Sequence, residues 1–392
     1  MIAVVVSATF ITYSYVGYPA LAWLVSRTRP DRHPPEAAPA AVSVVIAAYQ
    51  EADVIEEKLR ETLTFADEVS SLQIIVAVDG EDPTVDAARR VADPRIEVLH
   101  HPRRRGKSAA IADAVTRASG EILVFTDANA RVRPGSVRAL TRWFADPDVG
   151  VSSGAKHLRA EAAPSGREES APRGEGAYWR YESLLKQWET RAGSTVAVVG
   201  ELLAIRRELM GSLPSHIVND DFFLAMHALR CGYSVVYEPA AATDEPASAT
   251  LADERMRRRR IVAGRGQAGR EWKSVLPYRR PAVMVAVASH KFTRPLVPWA
   301  ALVGVASGLR CLLRPRRRGD RATGAVVTVV SAVFSAAALG APHLPSRPAA
   351  LRRAGDLCRM LANANVAALQ GSVDHLRRRT TTLWPRVSRS TR

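Results

Sequence analysis

Cysteine is scarce: the 392 residues include three, Cys231, Cys311 and Cys358, far apart in the chain. That spacing excludes a disulfide framework and a thiolate metal cluster, and it fits a reducing compartment. Acid is short relative to base, with 39 Asp and Glu against 55 Lys and Arg and a formal charge of +16. A chain this basic needs an anionic partner, and nucleic acid, anionic lipid and phosphorylated ligands all qualify. The basic residues come in bursts, "HHPRRRGK", "RMRRRR" and "RPRRRGDR". Two of the three lie close to apolar stretches, which favours a membrane surface over a nucleic-acid groove. Charge of either sign is missing from residues 1–26, "MIAVVVSATFITYSYVGYPALAWLVS". An apolar run of that length exceeds the ~20 residues that cross a bilayer as a helix, and the "RTRPDRH" behind it marks its end as cytoplasmic. A secretory signal peptide is the alternative, but it needs a basic n-region that is lacking here and an apolar run of only ~7–15 residues.

What the chain does contain is alternation. Residues 27–41, "RTRPDRHPPEAAPAA", are rich in Pro and Ala and read as a linker. From Val42 the pattern changes: "VSVVIAAY" is a short apolar run, "EADVIEEKLRETLTFA" has helical spacing, "LQIIVAVDG" is a second apolar run and "DPTVDAARRVA" a second helix. "RIEVLHH", "KSAAIADAVTRAS" and "EILVFTDAN" continue the series. Near-continuous apolar strands alternating with helices predict an α/β fold whose parallel sheet is covered on both faces. Ligands of such sheets bind beyond the C-terminal ends of the strands.

Polar residues stand at those ends. Asp79 follows "IIVAV" and precedes Gly80, with Asp82 placed to cap the next helix and Pro83 at its first position. Lys107 follows the turn-forming Gly106 at a helix start, where anions are attracted. Asp127 ends the strand "ILVFT". Two acids and a basic loop on one wall suit a diphosphate bridged by a divalent cation, because Mg2+ and Mn2+ prefer oxygen ligands. Taken singly, either acid is equally well explained as the cap of its turn. Further on, "VNDD" sets Asp220 and Asp221 side by side at the start of an amphipathic helix, a place the helix dipole also favours for acids.

In this order, "VSVVIAAYQEADVIEEKL", "IIVAVDGEDPT", "RRRGKSAAIADA" and "EILVFTDANARVRPG" resemble the nucleotide-sugar-binding half of the inverting family-2 glycosyltransferases. Downstream, "VGELLAIRRELM", "VNDDFFLAMHALRCGYSVVYEPAA" and "RRRRIVAGRGQAG" resemble the acceptor half of the membrane-bound members, which include cellulose and hyaluronan synthases. The resemblance implies a GT-A (Rossmann-like), mostly parallel sheet domain with N- and C-terminal transmembrane helices. It also implies a nucleoside-diphosphate sugar donor, Mg2+ or Mn2+, and transfer with inversion. It divides the domain into a donor half, 42–150, and an acceptor and catalytic half, 151–280. Carried over residue by residue, it makes Asp127 the first acid of a D-x-D element that binds the metal and the donor diphosphate. Asn129 stands at the second acid's position, where an amide oxygen can ligate without adding charge. Asp79 falls on the acid that contacts the nucleotide, and Lys107 lies in the basic loop beside it. Asp221 falls on the base that takes the acceptor's proton, with Asp220 before it. Aligned on a Q-x-x-R-W element, Arg257 takes the Gln position, Arg260 the Arg position and Ile261 the Trp position. Arg260 is expected to clamp the diphosphate, and the lost Trp argues against a polymer channel.

Residues 159–177, "RAEAAPSGREESAPRGEGA", have the composition of a mobile loop. Tyr178, Tyr181, Leu185 and Trp188 then recur at helical spacing, as core residues or interfacial anchors do. Residues 295–313 and 322–344 are each long enough to span, forming a transmembrane pair within 281–345. Residues 346–392 are expected to form a basic interfacial tail, because "LANANVAALQG" is too short to cross. With the catalytic domain in the cytoplasm, the "RPRRRGDR" loop faces outward, against the positive-inside tendency. The expected protein is a multi-pass cell-membrane glycosyltransferase that moves sugar from a nucleoside-diphosphate sugar to a glycan or glycolipid acceptor. Membrane lipid, and no nucleic acid, is among its expected partners. Transfer to a polyprenyl phosphate, and a catalytically silent membrane scaffold of the same fold, stay open beside it.

Overall fold

The computed structural model describes residues 1–159, 171–211, 213–214, 216–246, 250–340 and 349–379. Ile2–Arg27 forms one long apolar helix, α1, with a π-helical turn at Tyr13–Gly17. No helix or strand covers residues 29–40, although Arg32 ties this linker to the domain through Asp146 and the Gly193 carbonyl.

The apolar runs become strands β1 (Ala41–Ala48), β2 (Ser71–Asp79), β3 (Ile96–His101) and β4 (Ile122–Thr126), ordered β3-β2-β1-β4 with parallel pairing throughout. Side chains alternate along a strand, so β1 sends Val44 and Ile46 to one face and Val45 to the other. The first face packs on Ile55 and Leu59 of helix α2 (Ile55–Leu63). Helix α3 (Thr84–Arg89) lies on the same side; it starts one residue later than expected, and Asp82 Oδ1 caps it by accepting the Thr84 N–H at 2.6 Å. The second face packs on Ile111 and Ala114 of helix α4 (Lys107–Arg117). Each fully buried Val, Leu or Ile contributes about 1.5–3 kcal/mol relative to exposure, which is why both faces must be covered.

Beyond β4 the pairing turns mixed. β7 (Leu202–Arg206) runs antiparallel to β4 and to β6 (Val149–Arg159), β8 (Ser234–Pro246) is parallel to β6, and the short β5 (Arg131–Val132) closes the edge. Four of the seven pairings among the described residues are parallel, so the sheet is mostly parallel, with the antiparallel pairs all beyond β4 in the strand order. Apolar periodicity reports burial and not strand direction, so the reversal at β7 leaves no mark in the sequence. Helix α5 (Ser136–Thr141) packs on β8, and helix α7 (Asp220–Arg230) joins the core face shared with α4.

Residues 160–170 of the expected loop lie outside the described residues, and from Ala171 the chain is helical, as α6 (Ala171–Ala192). Local Gly and Pro content read as loop there, but tertiary packing of the helix overrides propensity. Its aromatic stripe divides: Leu185 and Trp188 pack on Tyr18 and Ala22 of α1, whereas Tyr178 faces a cavity described below. Helix α8 (Leu251–Arg270) follows β8.

Three helices are long and apolar enough to cross a membrane: α1, α9 (Pro281–Leu313) and α10 (Asp320–Gly340). Helix α9 starts well before the expected residue 295, with Pro281 in its first turn, where a missing N–H is harmless. The expected end of the second span, 341–344, lies outside the described residues. Ala349–Leu376 forms one helix, α11, laid along α8. Asp374 pairs with Arg259, and Arg255 Nε donates to Asn363 Oδ1 at 2.7 Å. Glycine lets the backbones touch: a side-chain carbon at Gly371 would lie 2.5 Å from the Arg259 carbonyl oxygen. Gly371→Val therefore overpacks a contact that cannot yield, at about 1–3 kcal/mol. A lower midpoint of thermal unfolding is expected in detergent, and an unchanged midpoint would contradict the close α8–α11 contact.

Candidate active site

β1 connects outward to β2 on one side while β4 lies on its other side, the kind of switch point at which open α/β sheets bind ligands. There Lys107, Asp127, Asp220 and Asp221 wall a small cavity floored by β1 and β4.

The turn before α4 is built on Asp79. Its carboxylate, fully buried at the end of β2, accepts the Arg105 N–H on Oδ1 at 2.7 Å and the Gly106 N–H on Oδ2 at 2.8 Å. Gly106 has φ +99°, a conformation that side chains resist, so a glycine is required where the chain bends into the helix. Asp79 thus shapes the loop and presents no surface to a ligand. Lys107, the first residue of α4, reaches Asp127 Oδ1 at 2.9 Å and Asp220 Oδ2 at 3.6 Å. Burial opposes its charge, but Asp127 and then Asp220 outweigh that and raise its pKa.

Asp220 and Asp221 are aimed by the start of α7. Asn219 precedes them and donates from Nδ2 to the Ile261 carbonyl at 2.9 Å, while Gly264 of α8 leaves room for the Asn219 side chain. Asp221 Oδ1 accepts the Phe222 N–H at 2.7 Å. Burial, followed by the neighbouring Asp220 charge, pushes the Asp221 pKa up to about 6. A carboxyl tuned toward neutrality is what general-base work requires.

A larger cavity of about 320 Å³ opens from these groups and runs along α8. Arg257 lines it but is committed to Glu254, with Nε at 3.0 Å from Oε2, and lies 3.8 Å from Glu201. Arg260 also lines it and makes no hydrogen bond or ion pair with any described residue. Ile261 is on the wall at the expected position. Asn129 is partly buried in the turn after Asp127 and does not line the cavity.

Other buried polar groups escaped sequence reasoning. On α6, Glu189 accepts a hydrogen bond from Tyr18 Oη at 2.6 Å and contacts His290 Nδ1 at 2.7 Å, while Glu182 pairs with Arg294. Glu182, Lys186 and Glu189 recur at helical spacing, so a buried polar face was detectable beside the aromatic stripe. Lys156 Nζ bridges Glu201 at 2.7 Å and Glu245 at 2.5 Å, a cluster with no local sequence signal because its members come from three strands or turns.

Residues 43–211 match the family described as glycosyl transferase family 2. The match stops before Asp220. Glycosyltransferase AglD of Haloferax volcanii is 38% identical over 141 residues, 30% of this chain and 23% of that protein. An N-acetylglucosaminyltransferase of Rhizobium leguminosarum bv. viciae is 25% identical over 217 residues, 51% of this chain and 50% of that protein. The chain thus spans half or less of the length of these curated relatives. A mannosyltransferase of Pyrobaculum calidifontis, solved with GDP-Man and Mn2+, superposes with a TM-score of 0.68 over 95% of this chain and 99% of that one, at 23% identity. The likeness establishes a GT-A-like fold for the chain, which also has helices apolar enough to cross a membrane.

Activity that depends on the Asp221 carboxylate should follow its ionisation: kcat/KM is expected to fall as the pH drops through about 6. Asp220→Asn removes a charge that raises the Asp221 pKa, so the acid inflection should move to lower pH. A pH–rate profile of both proteins checks this, and an inflection that stays in place would show that Asp221 is not the titrating group.

Proposed function

We propose that the protein is a membrane-anchored, inverting glycosyltransferase. It moves a sugar from a nucleoside diphosphate to a hydroxyl of a glycan or glycolipid at the cytoplasmic face of the cell membrane. Lys107, Asp127 and Asp221 converging on one cavity that extends to membrane-length helices carry this conclusion. The family-2 match supports the reaction class, and the fold shared with a mannosyltransferase solved with GDP-Man and Mn2+ supports a nucleotide-sugar donor and a divalent cation. In this reading 42–150 is the donor half, 151–280 the acceptor half, and α1, α9 and α10 cross the bilayer.

The residues present fit a divalent cation. Mg2+ is typically held by one or two carboxylates together with substrate phosphates, and it keeps several waters. Asp127 supplies such a carboxylate, with only one of its oxygens paired, to Lys107, among the described residues. Those residues gather no cage of three or more His, Cys, Asp and Glu, so donor phosphates would complete the ligand set. Asp127 would hold the ion, and Asn129, which does not line the cavity, is no direct ligand in this reading. When bound, the cation neutralises charge on the diphosphate.

Asp221 accepts the proton of the acceptor hydroxyl as that oxygen bonds to the anomeric carbon, from the face opposite the diphosphate. The bond from that carbon to the diphosphate oxygen breaks, and its electron pair leaves with the diphosphate. Lys107 and Arg260 stabilise the departing charge, Arg260 lining the cavity with no commitment to a described residue. Asp79 and Asp220 act by position, the first on the loop behind Lys107 and the second on Lys107 itself. Ile261 offers no ring for a sliding polymer, which favours single transfers.

A base acts in the transition state and contributes little to holding the donor. Asp221→Asn is therefore expected to keep nucleotide affinity while transfer falls by roughly 10²–10⁴-fold, with Asp220→Asn milder. Nucleotide binding and single-turnover transfer, measured on both variants, check this. Equal losses in the two, or loss of nucleotide binding in Asp221→Asn, would remove Asp221 from the role of base.

A further inference from the structure

The cavity does not end at the catalytic groups. It continues along α8 to the meeting of α1, α9 and α11, where Tyr15, Pro295, Met360 and Ala364 give it largely apolar walls. Two of the cations lining the cavity are uncommitted. Lys291 is only 8% exposed and Arg265 is partly buried, and neither makes a hydrogen bond or ion pair with any described residue. The nearby carboxylates are already engaged: Glu182 by Arg294 and His290, Glu189 by His290 and Tyr18. Lys186, in the same cavity, faces the Tyr237 ring with Nζ 4.1 Å from its centre. Arg265 and Lys291 have no such partner. A buried charge without a counter-ion is strongly disfavoured, and an ionisable residue on a membrane-length helix marks a ligand path.

The backbone points to the same place. Lys291 lies in a π-helical turn of α9, Ala288–Phe292, and the π-helical turn of α1 meets it through Tyr13 Oη and Ser289 Oγ at 2.7 Å. Such turns are frequent at functional sites. Arg265 is five residues past Arg260 on one helix, roughly 7.5 Å of rise, so an anion at Arg265 and Lys291 is separate from a diphosphate at Arg260.

We propose that Arg265 and Lys291 bind a phosphate group carried by a lipid. The acceptor is then a phosphate-bearing lipid whose chain lies against α1, α9 and α11 and whose sugar hydroxyl reaches Asp221. This inference rests on the glycosyltransferase reading above and narrows its acceptor. The phosphate serves as anchor and the hydroxyl as nucleophile, because a hydroxyl needs the base that Asp221 supplies and an ionised phosphate oxygen does not.

Equilibrium binding to the full-length protein in detergent tests it, with farnesyl phosphate, farnesol and inorganic phosphate as probes. Farnesyl phosphate is expected to bind, with farnesol and inorganic phosphate weaker by about tenfold or more. Lys291→Gln and Arg265→Gln are each expected to weaken farnesyl phosphate by about ten- to a hundredfold, as removal of one charge-assisted contact does. Lys291→Arg is expected to retain it, and saturating nucleoside diphosphate is expected to leave it bound. Equal binding of farnesol, full affinity in Lys291→Gln, or displacement by the nucleotide would overturn the proposal. Inorganic phosphate as tight as farnesyl phosphate would make this a free-anion site and overturn the lipid. The assay reads no turnover, so its failure leaves the role of Asp221 standing, and failure of the Asp221 variants leaves its result standing.

Discussion

One ammonium holds the site together. Lys107 Nζ lies 2.9 Å from Asp127 and 3.6 Å from Asp220, joining the carboxylate at the end of β4 to the pair at the start of α7. Without a cation between them, three acids from two halves of the domain would crowd a partly shielded space, and like charges there raise one another's pKa. Burial and then the Asp220 charge push the Asp221 pKa up to about 6, and Lys107 moderates that rise. The site is therefore assembled only when α4, β4 and α7 are all in place, and its electrostatics report the packing of the whole sheet. Asp79 extends the dependence to β2, because its two backbone hydrogen bonds fix the bend from which Lys107 emerges.

A second set of buried charges attaches this assembly to the apolar helices. Glu182 and Glu189 of α6 meet His290 and Arg294 of α9 and Tyr18 of α1, all with little access to water. Buried ion pairs are weak evidence for stability, since desolvation offsets much of their attraction, but removing one partner strands a charge. Their consequence is a fixed register between the Lys107–Asp221 site and the helices beside it. Helix α11 completes the arrangement by locking α8, the helix that carries Arg257, Arg260 and Arg265.

Much of this was legible in the sequence, and the limits have physical causes. The strand runs, their covered sheet and the placing of Lys107, Asp127, Asp220 and Asp221 at strand and helix ends follow from periodicity and local turn chemistry. The structure brings those four together and adds Arg257 and Arg260. Asp79 was located correctly but its surroundings were not, because nothing local says that both carboxylate oxygens are taken by a loop more than 20 residues on. Asn129 reads as a ligand by position and does not line the cavity, since one turn decides which way it faces. Only the first turns of α6, before Tyr178, were hidden, by their Gly and Pro residues. The α11 helix was hidden because its burial depends on glycines meeting backbone from α8, a contact between distant segments. The Lys156 cluster is likewise long-range and invisible to any window, whereas the polar face of α6 was detectable at helical spacing.

The account stands or falls on where donor and cation sit. The most direct measurement is a crystal structure of the full-length protein with a nucleoside diphosphate and Mn2+, the ion placed by its anomalous scattering. The account predicts Mn2+ against the Asp127 carboxylate, diphosphate oxygens completing its coordination, and Arg260 turned onto the same diphosphate. Mn2+ bound away from Asp127, or a nucleotide lying outside the cavity between Lys107 and Asp221, would contradict it.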